Sequence, residues 1–343
     1  MTDHPSMMAT EAQESPAAVA RMLAAEGRTI AALGRRLAAR APPVVVTCAR
    51  GSSDHAAGYL KYLLEIATGI PVASVGPSVA SVYGARLQLA GGVLVSVSQS
   101  GRSPDLVALQ AAAHAAGALT VAIVNATDGP LAQEADTVIA LNAGPERSVA
   151  ATKSFICATA AAAALVAAWT GDAALGAAVD GLPETLDVAL RCDWSAARKT
   201  IGQASSLFVL GRGPGYPVAL EAALKCKEVA AIHAEAFSIA EVMHGPLRLV
   251  HDSFPVLAWL PDDAAIAANR AGLARIVAAG GSLFTASPVA APGARLASAA
   301  TGHGFTDPIA MALSFYGFIE QVSRARGFDP DRPANLRKVT ETL

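Results

Sequence analysis

The stretch VVVTCARGSS, residues 44–53, decides the fold class of this chain. Its first five residues form a short, apolar, β-branched run that is typical of a buried strand, and a glycine–serine turn follows at once. An amphipathic segment from Ala56 to Thr68 comes next. Strand, turn and helix in this order open a parallel α/β unit, because a crossover helix must return the chain to the start of the next parallel strand.

The same pattern returns along the first half of the chain. Apolar runs predict further strands at Val93–Val97, Leu119–Val124 and Thr137–Leu141, and a long helix is predicted from Ala150 onward. Continuous apolar strands that alternate with helical segments predict a doubly wound, mostly parallel sheet with helices on both faces.

The second half restarts this plan. A strand at Ser206–Leu210 ends in the turn GRGPG, residues 211–215, and a helix from Ala219 to Ala230 follows. Two more strands are predicted at Phe254–Leu260 and Gly281–Ala286, with helices over residues 266–279 and 306–326. Repetition of one supersecondary plan predicts an internal duplication, and therefore an α/β protein of two tandem doubly wound, flavodoxin-like domains.

The predicted domain plan has five segments. Residues 1–16 are polar and acidic and are predicted as a frayed, flexible tail. The other segments are a first domain with a leading helix (17–172), a helical linker (173–198), a second domain (199–328) and a C-terminal tail rich in proline, asparagine and charge (329–343). A chain of 343 residues is long enough for two such domains, each with its own core.

Composition narrows the classes of partner. The 26 lysines and arginines nearly balance the 28 acidic residues, which leaves no basic footprint for nucleic acid. The most apolar run, Ser154–Thr170, is alanine-rich and shorter than the roughly 20 residues that span a bilayer, so it is predicted as a buried helix. The four cysteines lie apart without zinc-ligand spacing, as expected of buried thiols in a reducing cytoplasm. We therefore expect a cytoplasmic protein without a membrane or nucleic-acid partner.

Charge is concentrated in residues 220–246, LEAALKCKEVAAIHAEAFSIAEVMHGP. If Ala219–Ala230 is helical, then Glu221, Lys225 and Glu228 share one face, and His244 lies in the turn that follows. This arrangement offers a general base, a neighbouring cation and a proton shuttle. The alternative is a solvated helix face with weak ion pairs and a structural histidine.

A second candidate site is the turn SQSGRSPD, residues 98–105, between a predicted strand and a predicted helix. Ser103 is placed to cap the helix, with Pro104 at the first helical position. Hydroxyls, backbone N–H groups and the positive helix end then converge, which suits the phosphate of a phosphate monoester. The alternative is an ordinary serine-rich turn, because the chain has neither a Walker motif nor GxGxxG here.

Taken together, the motifs of this chain resemble the sugar isomerase (SIS) family, and in particular the isomerase half of glucosamine-6-phosphate synthase and its stand-alone deaminase relatives. The motifs occur in order from about Pro43 to the C-terminus: SQSG (98–101), VAATK (149–153), LGRG (210–213), residues 223–228, HAE (233–235), HGP (244–246) and NLRK (335–338). The resemblance implies two SIS domains, each with a parallel sheet of five strands between helices, in a homodimer whose active sites lie near the subunit interface.

The resemblance also assigns roles to individual residues. In the phosphate and sugar subsites it implies Ser98, Gln99, Ser100 and Ser103 for the phosphate, Ser53 for the sugar, and Val149 and Ala150 as further substrate contacts. For the chemistry it implies Glu228 as the base that moves a proton between C1 and C2, Lys225 as its support, His244 as the ring-opening residue, which can come from the partner subunit, and Lys338 as the residue that engages the open-chain sugar.

These roles predict an aldose–ketose isomerase-type deaminase that converts glucosamine 6-phosphate to fructose 6-phosphate and ammonia, with no metal or redox cofactor. The chain shows no segment like the synthase's glutaminase domain, so we expect it to release ammonia rather than incorporate it. Arg102 stands where the synthase usually has an acid, and Ala151 where it usually has a serine. Three alternatives remain: a deglycase for phosphorylated fructose–amino acid adducts, a galactosamine-type deaminase, and a non-catalytic module that senses sugar phosphates.

Overall fold

The computed structural model describes residues 4–338. These residues form two compact units, each built on its own parallel sheet. The first-sheet unit comprises residues 17–146 and 153–180, and the second-sheet unit comprises residues 4–16, 147–152 and 181–338. The chain opens with two helices, α1 (Met7–Gln13) in the second-sheet unit and α2 (Ser15–Arg40), which belongs to the first-sheet unit from residue 17 onward.

The first-sheet unit contains five parallel strands in the order β2-β1-β3-β4-β5. The strands are β1 (Val45–Cys48), β2 (Val72–Ser74), β3 (Val93–Ser98), β4 (Leu119–Val124) and β5 (Thr137–Ala140). The helices after α2 are α3 (Ser52–Thr68), α4 (Ser78–Ser81), α5 (Pro104–Ala115), α6 (Pro130–Gln133), α7 (Lys153–Thr170) and α8 (Ala173–Asp180). Every residue of β3 and β4 is buried, as expected of central strands in a sheet with two covered faces.

Helix α7 is the predicted buried helix of this unit. It is long and apolar enough to cross a membrane by length and composition, but 83% of it is buried inside the fold. Its alanines allow close packing, chiefly against α3. Gly34 of α2 shows how close the helices come, because a Cβ added there would lie 2.6 Å from the backbone of Ala168.

The second-sheet unit repeats the arrangement. Its parallel sheet has the order β10-β9-β8-β6-β7, with β6 (Ser206–Gly211), β7 (His233–Ser238), β8 (Pro255–Trp259), β9 (Ser282–Ala286) and β10 (Ala294–Leu296). Its remaining helices are α9 (Leu182–Ala189), α10 (Ser195–Gln203), α11 (Gly215–Ala230), α12 (Ile266–Ala278) and α13 (Asp307–Ala325), with two 3₁₀ turns at Glu241–His244 and Pro246–Leu249. Numbered from its own first strand, this sheet also reads 2-1-3-4-5, which is the flavodoxin-like order.

Aromatic side chains close one part of the core in the second-sheet unit. The ring centroid of Trp259 lies 5.9 Å from that of Trp194 and 5.5 Å from that of Phe315, in edge-to-face arrangements. The indole N–H of Trp194 donates to the carbonyl of Ala297 at 2.7 Å, so its polar edge is satisfied in the interior. This cluster joins α10 and α13 to the strand β8.

The strands predicted from apolar runs are all present, with ends that differ by one residue at most. The prediction of a frayed tail at residues 1–16 is wrong for the described residues 4–16. Ser6 caps α1, Met8 is fully buried, and the N–H groups of Met7 and Met8 donate to the carboxylate of Asp331 at 2.7 and 2.9 Å. Polar composition misled the prediction because the capping partner lies more than 320 residues away in sequence.

The compact units also divide the chain at points other than the predicted 172 and 198. Helix α8 packs on α7 and stays with the first-sheet unit, whereas α9 and α10 pack on α13 and belong to the second-sheet unit. The short segment 147–152 leaves the first-sheet unit and joins the second. Part of the C-terminal tail, residues 339–343, lies outside the described residues.

Candidate active site

The carboxyl ends of β1 and β3 form the switch point of the first sheet. From these neighbouring strands the chain proceeds to β2 on one side and to β4 on the other, so the loops after β1 and β3 diverge. Parallel α/β sheets bind ligands in the crevice that such diverging loops leave. Ser53 lies in the first turn of α3, directly after β1, and the serine turn, residues 98–103, follows β3. The predicted phosphate and sugar contacts of this unit therefore share one edge of the sheet.

Hydrogen bonds hold the serine turn in shape. The hydroxyl of Ser98 accepts from the N–H of Gly101 at 3.0 Å, and Gly101 has a φ of 64°, a conformation that favours glycine. The carbonyls of Gln99 and Gly101 accept from the N–H groups of Ala126 and Leu131 at 3.1 and 3.2 Å. Because these carbonyls are engaged by the loop after β4, they are not available to repel an anion at the turn.

Ser103 occupies the N-cap position of α5, with Pro104 at the first helical position, as predicted. Its side chain makes no capping hydrogen bond to the described first turn of the helix. Asp105 Oδ1 accepts from the N–H of Leu106 in the first turn, so what α5 lacks in the described residues is the capping bond from Ser103. An oxyanion bound at this helix end would take the place of that cap.

Two arginine–aspartate pairs flank the serine turn. Arg50, in the loop after β1, donates to the Oδ2 of Asp105 from Nε at 3.0 Å and from Nη2 at 2.8 Å. Asp105 is almost fully buried in the first turn of α5, and its Oδ1 accepts from the N–H of Leu106. Arg102, within the turn, pairs with Asp128 at 2.6 Å. Only the first pair links the two loops of the switch point.

The predicted catalytic face of α11 lies in the second-sheet unit. Lys225 is fully buried, with Nζ 3.2 Å from Glu221 Oε1 and 2.6 Å from Glu228 Oε2. Tyr316 of α13 donates its hydroxyl to the same Glu221 oxygen at 3.1 Å. Glu221 is buried as well, but 20% of the Glu228 side chain is exposed. Because Lys225 and Glu221 are buried, the face is not the solvated row of ion pairs of the alternative interpretation, whereas Lys227 lies exposed.

Lys225 keeps its positive charge in the interior. Burial lowers the pKa of Lys225, but the charges of Glu221 and Glu228 and their hydrogen bonds raise it more, so the pKa lies above its ordinary value. The result is a permanent cation in contact with a carboxylate that reaches the surface. Such a pair can stabilise negative charge that develops on a substrate bound beside Glu228.

The other two predicted catalytic residues also belong to the second-sheet unit. His244 is the last residue of the 3₁₀ turn Glu241–His244, is exposed, and is followed by Gly245 with a φ of 144°. Glycine is needed there because other residues rarely adopt that backbone conformation. Lys338, half-buried, is the last described residue.

The predicted substrate contacts Val149 and Ala150 lie in the segment 147–152. The buried carboxylate of Glu11, on α1, accepts hydrogen bonds from the N–H groups of Arg147 and Ser148. Ala150 is fully buried and Val149 is half-buried. The first helix therefore fixes the backbone from which these two residues extend, a role that sequence reasoning missed.

A family model of the SIS domain matches residues 41–168 and 200–270, which together make up more than half of the chain. The chain belongs to the SIS domain family. The first matched segment runs from just before β1 into α7, and the second runs from within α10 into α12.

Among curated relatives of this SIS chain, the glutamine–fructose-6-phosphate aminotransferase (isomerizing) of Halobacterium salinarum is 35% identical over 315 residues. The match covers 86% of this chain and 51% of that protein, so the SIS chain spans about half the length of the curated relatives it matches.

Solved structures agree with the SIS assignment. A candidate phosphosugar isomerase from Silicibacter pomeroyi DSS-3 superposes with a TM-score of 0.91 at 45% identity, over 95% of this chain and 100% of that one. The C-terminal domain of glucosamine-fructose-6-phosphate aminotransferase from Francisella tularensis superposes with a TM-score of 0.85 at 25% identity, over 96% and 99% of the two chains.

The SIS chain thus carries two sets of groups with complementary chemistry. One set, at the first switch point, offers hydroxyls and amides to an oxyanion; the other, on α11, offers a carboxylate with a buried cation. Sequence reasoning found the members of each set that lie close together in sequence. It missed Tyr316, Glu11 and the Arg50–Asp105 pair, because their partners are 55 or more residues away and no local pattern marks them.

Proposed function

We propose that this SIS chain is a glucosamine-6-phosphate deaminase that forms fructose 6-phosphate and ammonia. The observation that carries the proposal is the buried network on α11, in which Lys225 bridges Glu221 and the partly exposed Glu228. Proton transfer next to a carbonyl needs a carboxylate base and a fixed cation to stabilise the enolate-like intermediate, and this network supplies both. The names of the aminotransferase relatives support a phosphorylated hexose as substrate.

The proposed reaction consumes only glucosamine 6-phosphate and water. After ring opening, Glu228 removes the C2 proton of the open-chain aldehyde and returns a proton to C1. This shift turns the 2-amine into a C2 imine and C1 into an alcohol. Water then adds to C2, and ammonia leaves as the ketone forms. Protons and electrons balance without a redox cofactor, because the oxidation of C2 is matched by the reduction of C1.

The remaining groups take the other steps. Ser98, Gln99, Ser100 and Ser103 would hold the phosphate, with Ser53, Val149 and Ala150 on the sugar. His244 would move the protons that open the ring, since an imidazole has one nitrogen that can donate a proton and one that can accept it. Lys338 would engage the open-chain carbonyl, if need be through a transient imine.

We further propose a cytoplasmic homodimer of chains with two tandem SIS domains. Exposure of His244 supports a dimer in which this imidazole serves the partner's site. The equal strand orders of the two sheets and the two family matches support the tandem arrangement. Four free cysteines, three of them buried, fit a reducing compartment.

A substrate panel tests the proposal directly. Purified protein is incubated with glucosamine 6-phosphate, galactosamine 6-phosphate and a fructose–amino acid 6-phosphate adduct, and ammonia and ketose phosphate are measured together. Stoichiometric release of both products from glucosamine 6-phosphate supports the proposal. Turnover of only another member of the panel would keep the chemistry and change the substrate, and binding without any turnover would favour a sensing module.

A further inference from the structure

The proposed phosphate site contains many dipoles but no assigned cation. A phosphate monoester carries between about −1.5 and −2 charges at neutral pH. The serine turn offers it hydroxyl and amide groups, whereas strong phosphate sites usually add an arginine or a lysine. In the described part of the first-sheet unit, Arg50 and Arg102 stand in the two loops of the switch point. Their surroundings differ in a way that separates their roles.

Arg102 is paired at the protein surface. Its Nη2 lies 2.6 Å from Asp128 Oδ2, and the two side chains are 55% and 76% exposed. Exposed pairs of this kind are screened by water and fix the side chain only weakly. Arg102 is therefore poorly prepared to meet a ligand in one orientation.

Among the described residues, Asp105 is the carboxylate that forms a hydrogen-bonded ion pair with Arg50. Asp105 is 1% exposed and takes both Nε and Nη2 of Arg50 on a single oxygen, which sets the direction of the guanidinium plane. Nη1 takes no part in this contact, and half of the Arg50 side chain remains exposed. A buried carboxylate that aims an arginine while leaving one edge open is a preorganised oxyanion donor, because the orientation is fixed before the ligand arrives.

We propose that Arg50, oriented by Asp105, is the cationic contact of the substrate phosphate at the switch point of the first sheet. The proposal rests on the proposed function, from which it takes the phosphate ligand. Arg50 follows β1 and the serine turn follows β3, and these strands are neighbours, with Cys48 beside Ser96. The arginine would therefore approach the phosphate from the loop opposite the serine turn.

The competing interpretation gives Arg50 a structural role only. A buried aspartate needs a partner, so Arg50 could serve solely to neutralise Asp105 and to tie the loop after β1 to α5. The two interpretations predict different losses. If Arg50 is only a structural tie, its removal lowers the stability of the protein and affects the affinity for all ligands alike. If Arg50 contacts the phosphate, its removal lowers the affinity for phosphate-bearing ligands selectively.

Calorimetric binding to the full chain separates these outcomes. The probes are inorganic phosphate, glucosamine 6-phosphate and unphosphorylated glucosamine, and the variants are Arg50→Gln, Arg50→Lys and the double variant Arg50→Gln/Asp105→Asn. Loss of one charge-assisted hydrogen bond weakens binding about 10- to 100-fold. We expect this loss for both phosphate probes in Arg50→Gln, a smaller loss in Arg50→Lys, and no change for any affinity that glucosamine shows.

Arg50→Gln alone leaves the buried carboxylate of Asp105 without its cation and could fail to fold. The double variant removes this charge together with its partner, so it keeps the test interpretable. Arg40→Gln is the matched control: Arg40 is exposed and donates to the carbonyl of Gly91, before β3 and so at the opposite end of the strands. Its phosphate affinity should equal that of the wild type.

Wild-type affinity in folded Arg50→Gln or in the double variant would overturn the proposal, as would a wild type that binds neither phosphate probe. Binding without turnover would overturn the deaminase alone.

Discussion

Lys225 shows at the scale of single residues why we propose the α11 face as a site. A buried ammonium group is costly unless it is paired and hydrogen-bonded, and here two carboxylates share it. Tyr316 then fixes the more deeply buried carboxylate, Glu221, by a hydrogen bond from the neighbouring helix. The geometry of Glu228 therefore depends on a chain of contacts that begins at a phenol hydroxyl.

Removing that hydroxyl tests the chain of contacts. In Tyr316→Phe the carboxylate of Glu221 loses a donor in the interior, so we expect the free energy of unfolding to fall by about 1–2 kcal/mol. We also expect kcat to fall about fivefold, which corresponds to about 1 kcal/mol of barrier, with KM unchanged because the phenol is not a proposed substrate contact. Urea unfolding and steady-state kinetics measure both effects.

Tyr83→Phe is the control, because the Tyr83 side chain is 79% exposed. It should match the wild type in stability and in kcat. A Tyr316→Phe variant that behaves like this control would contradict the positioning role.

Asp136 provides a test by pH. Although burial raises its pKa, hydrogen bonds from the N–H and hydroxyl of Thr120, at 2.8 and 3.0 Å, bring the net pKa below the ordinary value. A carboxyl with a lowered pKa in the folded state stabilises the protein above its unfolded pKa of about 3.9, and this contribution is lost as the pH falls through the folded pKa.

Asp136→Asn should therefore destabilise the protein by about 1–2 kcal/mol at pH 7, through weakened hydrogen bonds to Thr120. The difference from the wild type should shrink as the pH falls below about 4. Urea unfolding at pH 7, 5, 4 and 3 measures it. A difference that stays constant or grows toward acid pH would refute the assignment.

At the scale of elements, α1 is the clearest case in which the structure shows an ordered helix where the sequence predicted a frayed tail. Its N–H groups are capped by Asp331 and its Glu11 anchors the backbone of residues 147–148. The helix has only seven residues and would not be stable alone, so tertiary contacts hold it.

Glu11→Ala should release the anchored segment. The N–H groups of Arg147 and Ser148 lose a charged acceptor, and we expect a cost of about 2–3 kcal/mol and loss of exchange protection at these two amides. KM for the sugar phosphate should rise, because Val149 and Ala150 follow directly. Hydrogen exchange by mass spectrometry checks the first effect. Retained protection in Glu11→Ala, with Glu26→Ala on the partly exposed face of α2 as the control, would show that α1 does not anchor this segment.

Prediction from sequence succeeded where a local sequence pattern marks the element. The central strands β3 and β4 are continuous apolar runs, and the α11 face follows from helical spacing. Three strands were missed: β2 and β10 have three residues each, and β7 is an edge strand whose His233 and Glu235 are exposed. Short edge strands lack an apolar run, so only the neighbouring strand defines them. The Arg50–Asp105 and Tyr316–Glu221 pairs were missed for the same reason.

At the scale of the whole molecule, two sheets of equal strand order carry different chemistry. The switch point of the first sheet has serine hydroxyls and a helix start whose N-cap residue, Ser103, makes no capping hydrogen bond. In the corresponding loops of the second sheet, Asp262 and Asp263 follow β8, and a carboxylate oxygen of Asp263 lies 3.9 Å from where a Cβ on Gly213, after β6, would be. Burial raises the pKa of Asp263 and the charge of Arg212, in the same β6 loop, lowers it in part, so the cation of this loop already acts on a carboxylate. Carboxylates repel a phosphate, so the second sheet is suited to a different role, the support of α11.

The reactivity of the four cysteine thiols shows whether the cores of the two units stay closed. Cys48, Cys157 and Cys226 are buried, and burial raises the pKa of Cys48 and of Cys226 to about 12. Only thiolates react readily, so these three should resist a disulfide reagent at pH 8 while the partly exposed Cys192 reacts. We expect one fast thiol per folded chain and four after denaturation. Cys192→Ser should abolish the fast phase, and a fast phase that survives this change would mean that a core opens.

The most direct measurement compares the wild type with Glu228→Gln on glucosamine 6-phosphate, following ammonia and fructose 6-phosphate in one reaction and ligand affinity by calorimetry. The amide keeps the size of the side chain and removes the base. We expect turnover to fall by at least about 100-fold, as for the loss of a general base, while affinity for the sugar phosphate stays within a few-fold of the wild type. Turnover by Glu228→Gln at the wild-type rate would contradict this expectation.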